Sequence, residues 1–116
     1  MRAPFRKVLS EIEKEEAHGG SGSRKMILSG NDAVSPNFEA MTKGYLAAGA
    51  SFEWHSHSGV DEFFLVTQGT GLIQFRDHSE IHYKADELIY IPADVEHRIE
   101  NTGTEEGQFY FIRLKA

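Results

Sequence analysis

The feature that most constrains the fold is a regular alternation of short β-forming runs and turn signals along residues 25–114. Between the runs, glycine, asparagine, aspartate, serine and proline recur, and these residues favour turns. The predicted strands are Lys25–Leu28, Phe38–Ala47, Phe52–His57, Glu62–Gln68, Leu72–Arg76, Ile81–Lys84, Glu87–Ile91, Glu96–Glu100 and Gln108–Leu114. Strands this short and this evenly spaced predict an all-β sandwich or barrel. A long helical pattern between strands, which a parallel sheet requires, is missing.

The first 23 residues have a different character. The segment from Ser10 to Glu13 fits a capping box, with Ser10 as the N-cap. It predicts a short helix through about Ala17, ended by glycines and followed by a flexible Gly/Ser connector through Ser23. We therefore divide the chain into an N-terminal tail with a short helix, residues 1–23, and a β-barrel domain, residues 24–116.

Composition narrows the class of partner. A length of 116 residues suits one domain. The formal net charge of −6 argues against binding a nucleic-acid backbone, which needs clustered lysine and arginine. The chain has no cysteine, which excludes thiolate metal sites and fits the cytosol. There is no apolar stretch suited to a secretory signal or a membrane span. We expect a cytoplasmic protein that binds neither nucleic acid nor membrane.

Two predicted strands are apolar on both faces, at residues 63–66 and 109–112. In a small barrel, one face of each strand meets the interior and the other meets water. The surplus apolar face favours a homodimer. The alternative is that a second sheet or the N-terminal segment covers it.

Four residues carry the chemistry. His55 and His57 are two positions apart, so on a strand they share a face at a separation of roughly 6.7 Å. The segment Ser58–Asp61 then allows a turn, and a hairpin would bring the carboxylate of Glu62 back towards both imidazoles. His97 lies far down the chain. All four side chains can bind a divalent metal.

The spacing around these residues forms two ordered motifs. The first reads Gly49, five residues, His55, one residue, His57, four residues, Glu62, six residues, Gly69. The second reads Asp86, five residues, Pro92, one residue, Asp94, two residues, His97, three residues, Asn101. Together they resemble the two signatures of the cupin superfamily, and the resemblance covers roughly residues 38–114. Asp86 and Asp94 stand where the family usually has glycine, and aspartate tolerates the same turn conformations better than most residues.

The resemblance implies a single antiparallel jelly-roll barrel of six or more strands. It also implies that His55, His57, Glu62 and His97 bind one divalent metal inside that barrel. Physical chemistry agrees, because burying an ionised group costs several kcal/mol unless it is paired. Nitrogen and oxygen ligands without sulfur suit iron, manganese, nickel, cobalt, copper or zinc. Four protein ligands leave one or two coordination positions open for water, oxygen or a small molecule.

The alternation of side chains along a strand predicts further residues of the site. If the four ligands face inward, alternation places further residues inward as substrate-pocket candidates, and Phe52 and Arg98 outward. These candidates are Glu53, Phe64, Val66 and Ile99. In the last strand, Phe109, Phe111 and Arg113 share one face. If that face looks inward, Arg113 could bind a carboxylate near the metal; otherwise it is a surface arginine.

The resemblance favours a metal-dependent enzyme acting on a small organic molecule, with dioxygenase-type chemistry as the leading hypothesis. Glu62 is then the candidate catalytic residue, as a base that leaves the metal. A metal-dependent isomerase, decarboxylase or lyase is an alternative within the same site. A binding or sensor module that holds a metal or small ligand without turnover is a different class, and a purely structural barrel is another. Fold alone does not choose among them.

Overall fold

The structure is a computed structural model that describes residues 3–17 and 22–116. Its strands are β1 (Glu15–Ala17), β2 (Gly22–Leu28), β3 (Phe38–Leu46), β4 (Ser51–His55), β5 (Val60–Gln68), β6 (Gly71–Phe75), β7 (Glu80–Tyr83), β8 (Leu88–Ile91), β9 (His97–Asn101) and β10 (Gly107–Lys115). The helical elements within the described residues are two short 3₁₀ turns, at Leu9–Glu11 and Gly30–Asp32. No described helix has the length and apolar character needed to cross a bilayer.

The strands form two antiparallel sheets. One has the order β1-β2-β3-β10-β5-β8, and the other has the order β4-β9-β6-β7. From β3 to β6, and again from β7 to β10, each strand passes to the sheet opposite its predecessor. This is the predicted all-β jelly roll, and the fold prediction is confirmed.

The core lies between the two sheets and has a group of stacked aromatic rings at its centre. Phe64 is fully buried, and its ring centroid lies 4.8 Å from that of Phe109 and 5.0 Å from that of Phe111. Phe52, from the opposite sheet, meets both rings edge-on at 6.4 and 6.2 Å. The register places Phe109 beside Val66 and Phe111 beside Phe64, so inward positions on neighbouring strands stack into layers. These layers hold the two sheets together.

All nine predicted strands are present, with ends shifted by a few residues. The local geometry around the first two histidines differs from the prediction. β4 ends at His55, so His57 lies in the loop that follows rather than on the strand. The predicted hairpin between β4 and β5 is also wrong, because these strands belong to opposite sheets. The loop instead carries the chain across the barrel.

The predicted N-terminal helix is wrong as well. It is reduced to the 3₁₀ turn at Leu9–Glu11, whose N-cap is Val8 and not Ser10. Glu15–Ala17 forms β1 and pairs with β2, which buries Ala17. The segment has no apolar stripe that a helix could bury, whereas pairing as an edge strand satisfies its backbone. Of the predicted connector, Gly22 and Ser23 open β2, and residues 19–21 lie outside the described part of the chain.

The N-terminal segment contacts the larger sheet near the edge formed by β1 and β2. The Nζ of Lys7 donates to the carbonyl of Ile27 at 2.7 Å, and the Nζ of Lys25 donates to the carbonyl of Leu9 at 2.9 Å. Both contacts lie at β2, far across the sheet from β5 and β8. There an apolar surface stays open, which we call the β5–β8 strip and which consists of Phe63, Leu65, Leu88 and Tyr90. Leu88 is 62% exposed and Tyr90 is 49% exposed.

Candidate metal centre

The fold brings His55, His57 and His97 together at one end of the barrel interior. His55 is the last residue of β4 and is paired in register with His97, the first residue of β9. His57 follows in the loop. One ring nitrogen of each histidine lies within 4.8 Å of those of the other two. The three imidazoles are therefore positioned to bind one metal ion.

Backbone carbonyls fix the orientation of two rings. The Nδ1 of His55 lies 2.6 Å from the carbonyl oxygen of Glu53, and the Nδ1 of His97 lies 2.9 Å from that of Val95. A carbonyl oxygen can only accept, so in each ring Nδ1 carries the proton and Nε2 keeps a lone pair. Metal-binding histidines commonly have this arrangement, because the second hydrogen bond sets the tautomer.

Glu62, on β5, projects its carboxylate into the same place and is 1% exposed. Its Oε2 accepts a hydrogen bond from the Nε of Arg113 at 2.8 Å and lies 3.2 Å from the Nε2 of His57. Its Oε1 lies 3.7 Å from the Nε2 of His97. The structure therefore places the Glu62 carboxylate beside His57 and His97, whereas the ligand atoms that all lie within 4.8 Å of one another belong to the three histidines alone.

Three atoms at this point are buried and have no hydrogen-bond partner: the Nε2 of His57, the Oε1 of Glu62 and the Nε2 of His97. The Nε2 of His57 lies 3.2 Å from the Oε2 of Glu62, but this contact does not give it a hydrogen bond, and Oε2 is already bound by Arg113. A buried polar atom left unpaired costs roughly 1–3 kcal/mol, so folded proteins rarely tolerate several together. A divalent cation among them would satisfy all three, and the donor set fits a transition metal.

The electrostatics favour the metal-binding forms of Glu62 and His55. Burial raises the pKa of Glu62, but the imidazoles of His57 and His97 and the charge of Arg113 outweigh it, so this pKa lies well below its ordinary range. Burial lowers the pKa of His55, against an opposing contribution from the Glu53 carbonyl. An ionised carboxylate and a neutral imidazole are the species that coordinate a cation.

Three of the predicted pocket residues face inward but are packed into the core. Phe64, Val66 and Ile99 are at most 1% exposed. Phe64 and Val66 follow Glu62 along the inward face of β5, and Ile99 follows His97 along that of β9. They form an apolar floor next to the histidines.

The inward placement of Glu53 is wrong. Its side chain is 61% exposed and pairs with Arg98 on the outer face, at 3.1 Å. Phe52, predicted to point outward, is 2% exposed and belongs to the core. The register between β4 and β9 shifts between Phe52 and His55, and such an irregularity reverses the parity on which the prediction relied. Arg98 points outward as predicted.

Arg113 faces inward, so the interpretation as a surface arginine is wrong. Phe109 and Phe111, on the same face of β10, are both buried. The side chain of Arg113 is 12% exposed, and its Nε binds Glu62. β10 thus supplies a direct partner for a predicted metal ligand, which the sequence spacing alone could not reveal.

A second set of contacts, which the sequence reasoning missed, joins the loop that carries His57 to the loop that precedes His97. The backbone N–H of Asp94 donates to the carbonyl of His57 at 3.1 Å, and its Oδ1 accepts from the N–H of Gly59 at 3.0 Å. The Oδ1 of Asp61 accepts from the N–H of Ala93 at 2.9 Å. Asp94 has a φ of 68°, in the left-handed region where glycine is common. The only signal in the sequence is an aspartate at a position where the resembled family usually has glycine.

A cavity of about 530 Å³ lies beside the cluster. Met26, Ala40 and Val60 contribute to its apolar side, and Ser56, His57 and Arg113 contribute to its polar side. Glu39 also lines it and is exposed at the rim. Because His57 and Arg113 belong to both the cavity and the cluster, a small molecule in the cavity would contact the candidate metal centre.

Comparisons with known proteins agree with this architecture. The family model described as "Cupin domain" matches residues 44–113, which include all four candidate ligands. The oxalate-binding protein of Thermotoga maritima is 29% identical over 108 residues, which cover 89% of this chain and 88% of that protein. The uncharacterized protein YdbB of Bacillus subtilis is 38% identical over 47 residues, so the match spans 40% of this chain and less than half of that protein, 42%.

A crystal structure from T. maritima, described as a predicted oxalate decarboxylase, superposes with a TM-score of 0.84 at 22% sequence identity. The match covers 97% of this chain and 100% of the other. At this level of identity the similarity shows the shared fold.

Proposed function

This chain belongs to the cupin family, and on that premise we propose that it binds one divalent transition metal through His55, His57, Glu62 and His97 and acts on a small organic molecule. The observation that carries the proposal is the group of three buried, unpartnered polar atoms directed at one point. Four protein ligands leave one or two positions for the molecule to be transformed. We propose dioxygenase-type chemistry at iron or manganese.

When bound, the metal would polarise and orient the oxygen atoms of that molecule. The protein contributes an apolar floor, formed by Phe64, Val66 and Ile99, that keeps water from the far side of the site. Glu62 is the candidate catalytic residue. Its Oε2 is held by Arg113, so Oε1 is the atom available to take a proton.

The test begins with the metal content of protein purified without chelators. We expect about one equivalent per chain in the wild type and none in His55→Ala. The matched control is His82→Ala, since His82 is 77% exposed and lies outside the cluster. Loss of metal in both variants, or in neither, contradicts the assignment.

A second candidate is a protein that binds oxalate or a similar small acid without transforming it. It is favoured by the oxalate-binding relative from T. maritima, which aligns over 89% of this chain. Oxygen consumption and product analysis with oxalate distinguish the two. Release of carbon dioxide or formate would mark an enzyme, whereas saturable binding with complete recovery of oxalate would mark a binding protein.

We further propose a homodimer formed through the β5–β8 strip. Its four side chains are apolar or aromatic, and Leu88 and Tyr90 are largely exposed in the isolated chain. Sedimentation should show a dimer for the wild type and a monomer for Leu88→Glu, with Glu80→Lys on the other sheet as the control. A wild-type monomer would contradict this proposal. The cytoplasmic location and the lack of nucleic-acid and membrane partners stay predictions.

A further inference from the structure

The Nε of Arg113 and its two Nη nitrogens have different surroundings. Its Nε is committed to the Oε2 of Glu62 at 2.8 Å. Within residues 3–17 and 22–116, neither of its terminal Nη nitrogens has a hydrogen-bond partner. The side chain is only 12% exposed, but its Nη atoms are not among the buried atoms that lack a partner, so solvent in the cavity reaches them. A guanidinium carries five N–H donors in a fixed plane, and most of these are left unused.

Arg113 also lines the cavity of about 530 Å³ that reaches His57. Arg113 is the only arginine or lysine among the residues that line it. The acidic residue Glu39 lies at the exposed rim, whereas Met26 and Ala40 make the nearby wall apolar. Hydrogen bonds from a guanidinium to a carboxylate are stronger in such partly desolvated surroundings than in bulk water.

We propose that Arg113 is the residue that selects a carboxylate-bearing ligand, gripping the carboxylate with its Nη atoms while its Nε holds Glu62. This inference rests on the proposed metal site. It narrows the small molecule to a carboxylic acid that carries a further oxygen donor for the metal, such as oxalate. One end of such an acid can occupy the open metal positions while its carboxylate faces Arg113.

The two roles of Arg113 are linked by geometry. Because Nε holds Oε2, the unpartnered Oε1 is left as the single oxygen that Glu62 offers to a metal. The guanidinium is planar, so fixing Nε also fixes the direction of both Nη atoms. A lysine at this position would keep the positive charge but lose the planar set of Nε and Nη donors.

The test compares oxalate with oxamide, its uncharged diamide of nearly the same shape. Calorimetry would measure the binding of both to cobalt-loaded wild type, Arg113→Lys and Arg113→Gln. Lys115→Gln is the control, because Lys115 is an exposed cation two residues further along the same strand. The visible spectrum and stoichiometry of cobalt would report on the metal site independently of any ligand.

We expect both Arg113 variants to hold one cobalt ion and to bind oxalate at least roughly tenfold more weakly, as the loss of one or two charge-assisted hydrogen bonds predicts. Oxamide binding should change much less, and Lys115→Gln should behave as wild type. Unchanged oxalate affinity in cobalt-loaded Arg113→Gln would overturn the role of Arg113 and leave the metal site standing. Equal losses for oxalate and oxamide would also overturn it, since they would indicate general damage. A wild type that binds no metal would overturn the proposed function, and this inference with it.

Discussion

The barrel interior contains two regions that are built on the same strands and differ in one physical respect. In the aromatic core, Phe64, Phe109 and Phe111 fill the space with groups that need no partner. At the candidate metal centre, two residues before Phe64 on β5, Glu62 is equally buried but has an oxygen without a partner. The core is complete as folded, whereas the centre keeps polar atoms that a cation would satisfy. The difference teaches that burial alone does not distinguish stability from function, whereas unsatisfied polar atoms do.

The strongest test of this contrast is Phe64→Ala. Removing a fully buried phenylalanine leaves a cavity, and we expect the free energy of unfolding to fall by about 3–5 kcal/mol, as measured by urea denaturation. Ile81→Ala, at a residue that is 38% exposed, should cost less than about 1 kcal/mol. Similar losses for the two variants would mean that the aromatic layer is not the main source of stability.

A bound metal should stabilise the folded protein through the candidate metal centre, independently of the aromatic core. With cobalt at 100 times its dissociation constant, the unfolding free energy should rise by about 2.7 kcal/mol, and a chelator should reverse the gain. Glu62→Gln keeps the shape of the side chain and should lose most of this increment. Phe64→Ala should keep it despite its lower baseline. If Glu62→Gln gains as much from cobalt as the wild type, the carboxylate is not a ligand.

Acid should dissociate the metal while the core stays intact. Protons compete with the metal for imidazole nitrogen, and burial lowers the pKa of His55 below its ordinary value of 6.5. The His55 ring therefore stays neutral, and able to bind a metal, until the pH falls below this lowered pKa. A cobalt spectrum followed from pH 8 to pH 4 should show release below pH 6.5, with unchanged circular dichroism where release begins. Release centred above pH 6.5 would contradict the direction of this shift.

The smallest effect is expected for Glu53, on the outer face of β4. Glu53→Ala removes a carboxylate that is 61% exposed, and Arg98 keeps Gln74, Glu100 and Ser51 as partners. We expect a change in stability below about 0.5 kcal/mol and an unchanged cobalt affinity. Any marked loss of metal would show that Glu53 acts on the site through more than its backbone carbonyl.

The sequence predicted the fold because its strands are short, evenly spaced and bounded by turn-forming residues. It also indicated that His55, His57 and His97 come together, because their spacing repeats two known motifs, and the three ring nitrogens do lie within 4.8 Å of one another. The predicted local structure that brings them together was wrong. His57 lies on a loop, and β4 and β5 lie in opposite sheets, since strand pairing depends on contacts that no local pattern records.

Two further features escaped the sequence for different physical reasons. A shift in register near Phe52 reversed the assignment of Glu53, because parity arguments assume an unbroken strand. The pairing of Arg113 with Glu62 depends on β10 lying beside β5, in a register that sets these two residues opposite each other. The sequence offered both orientations of β10, and only the packing of Phe109 and Phe111 decides between them.

The contacts of Asp94 have a consequence for how such a site can change over generations. Asp94 joins the loop of His57 to the loop that precedes His97, yet its side chain reaches neither imidazole. A glycine there would relieve the unfavourable backbone angle of 68° but release the carboxylate's hold on Gly59. Natural variation or laboratory selection at this position can therefore adjust two ligands in concert while every ligand is conserved.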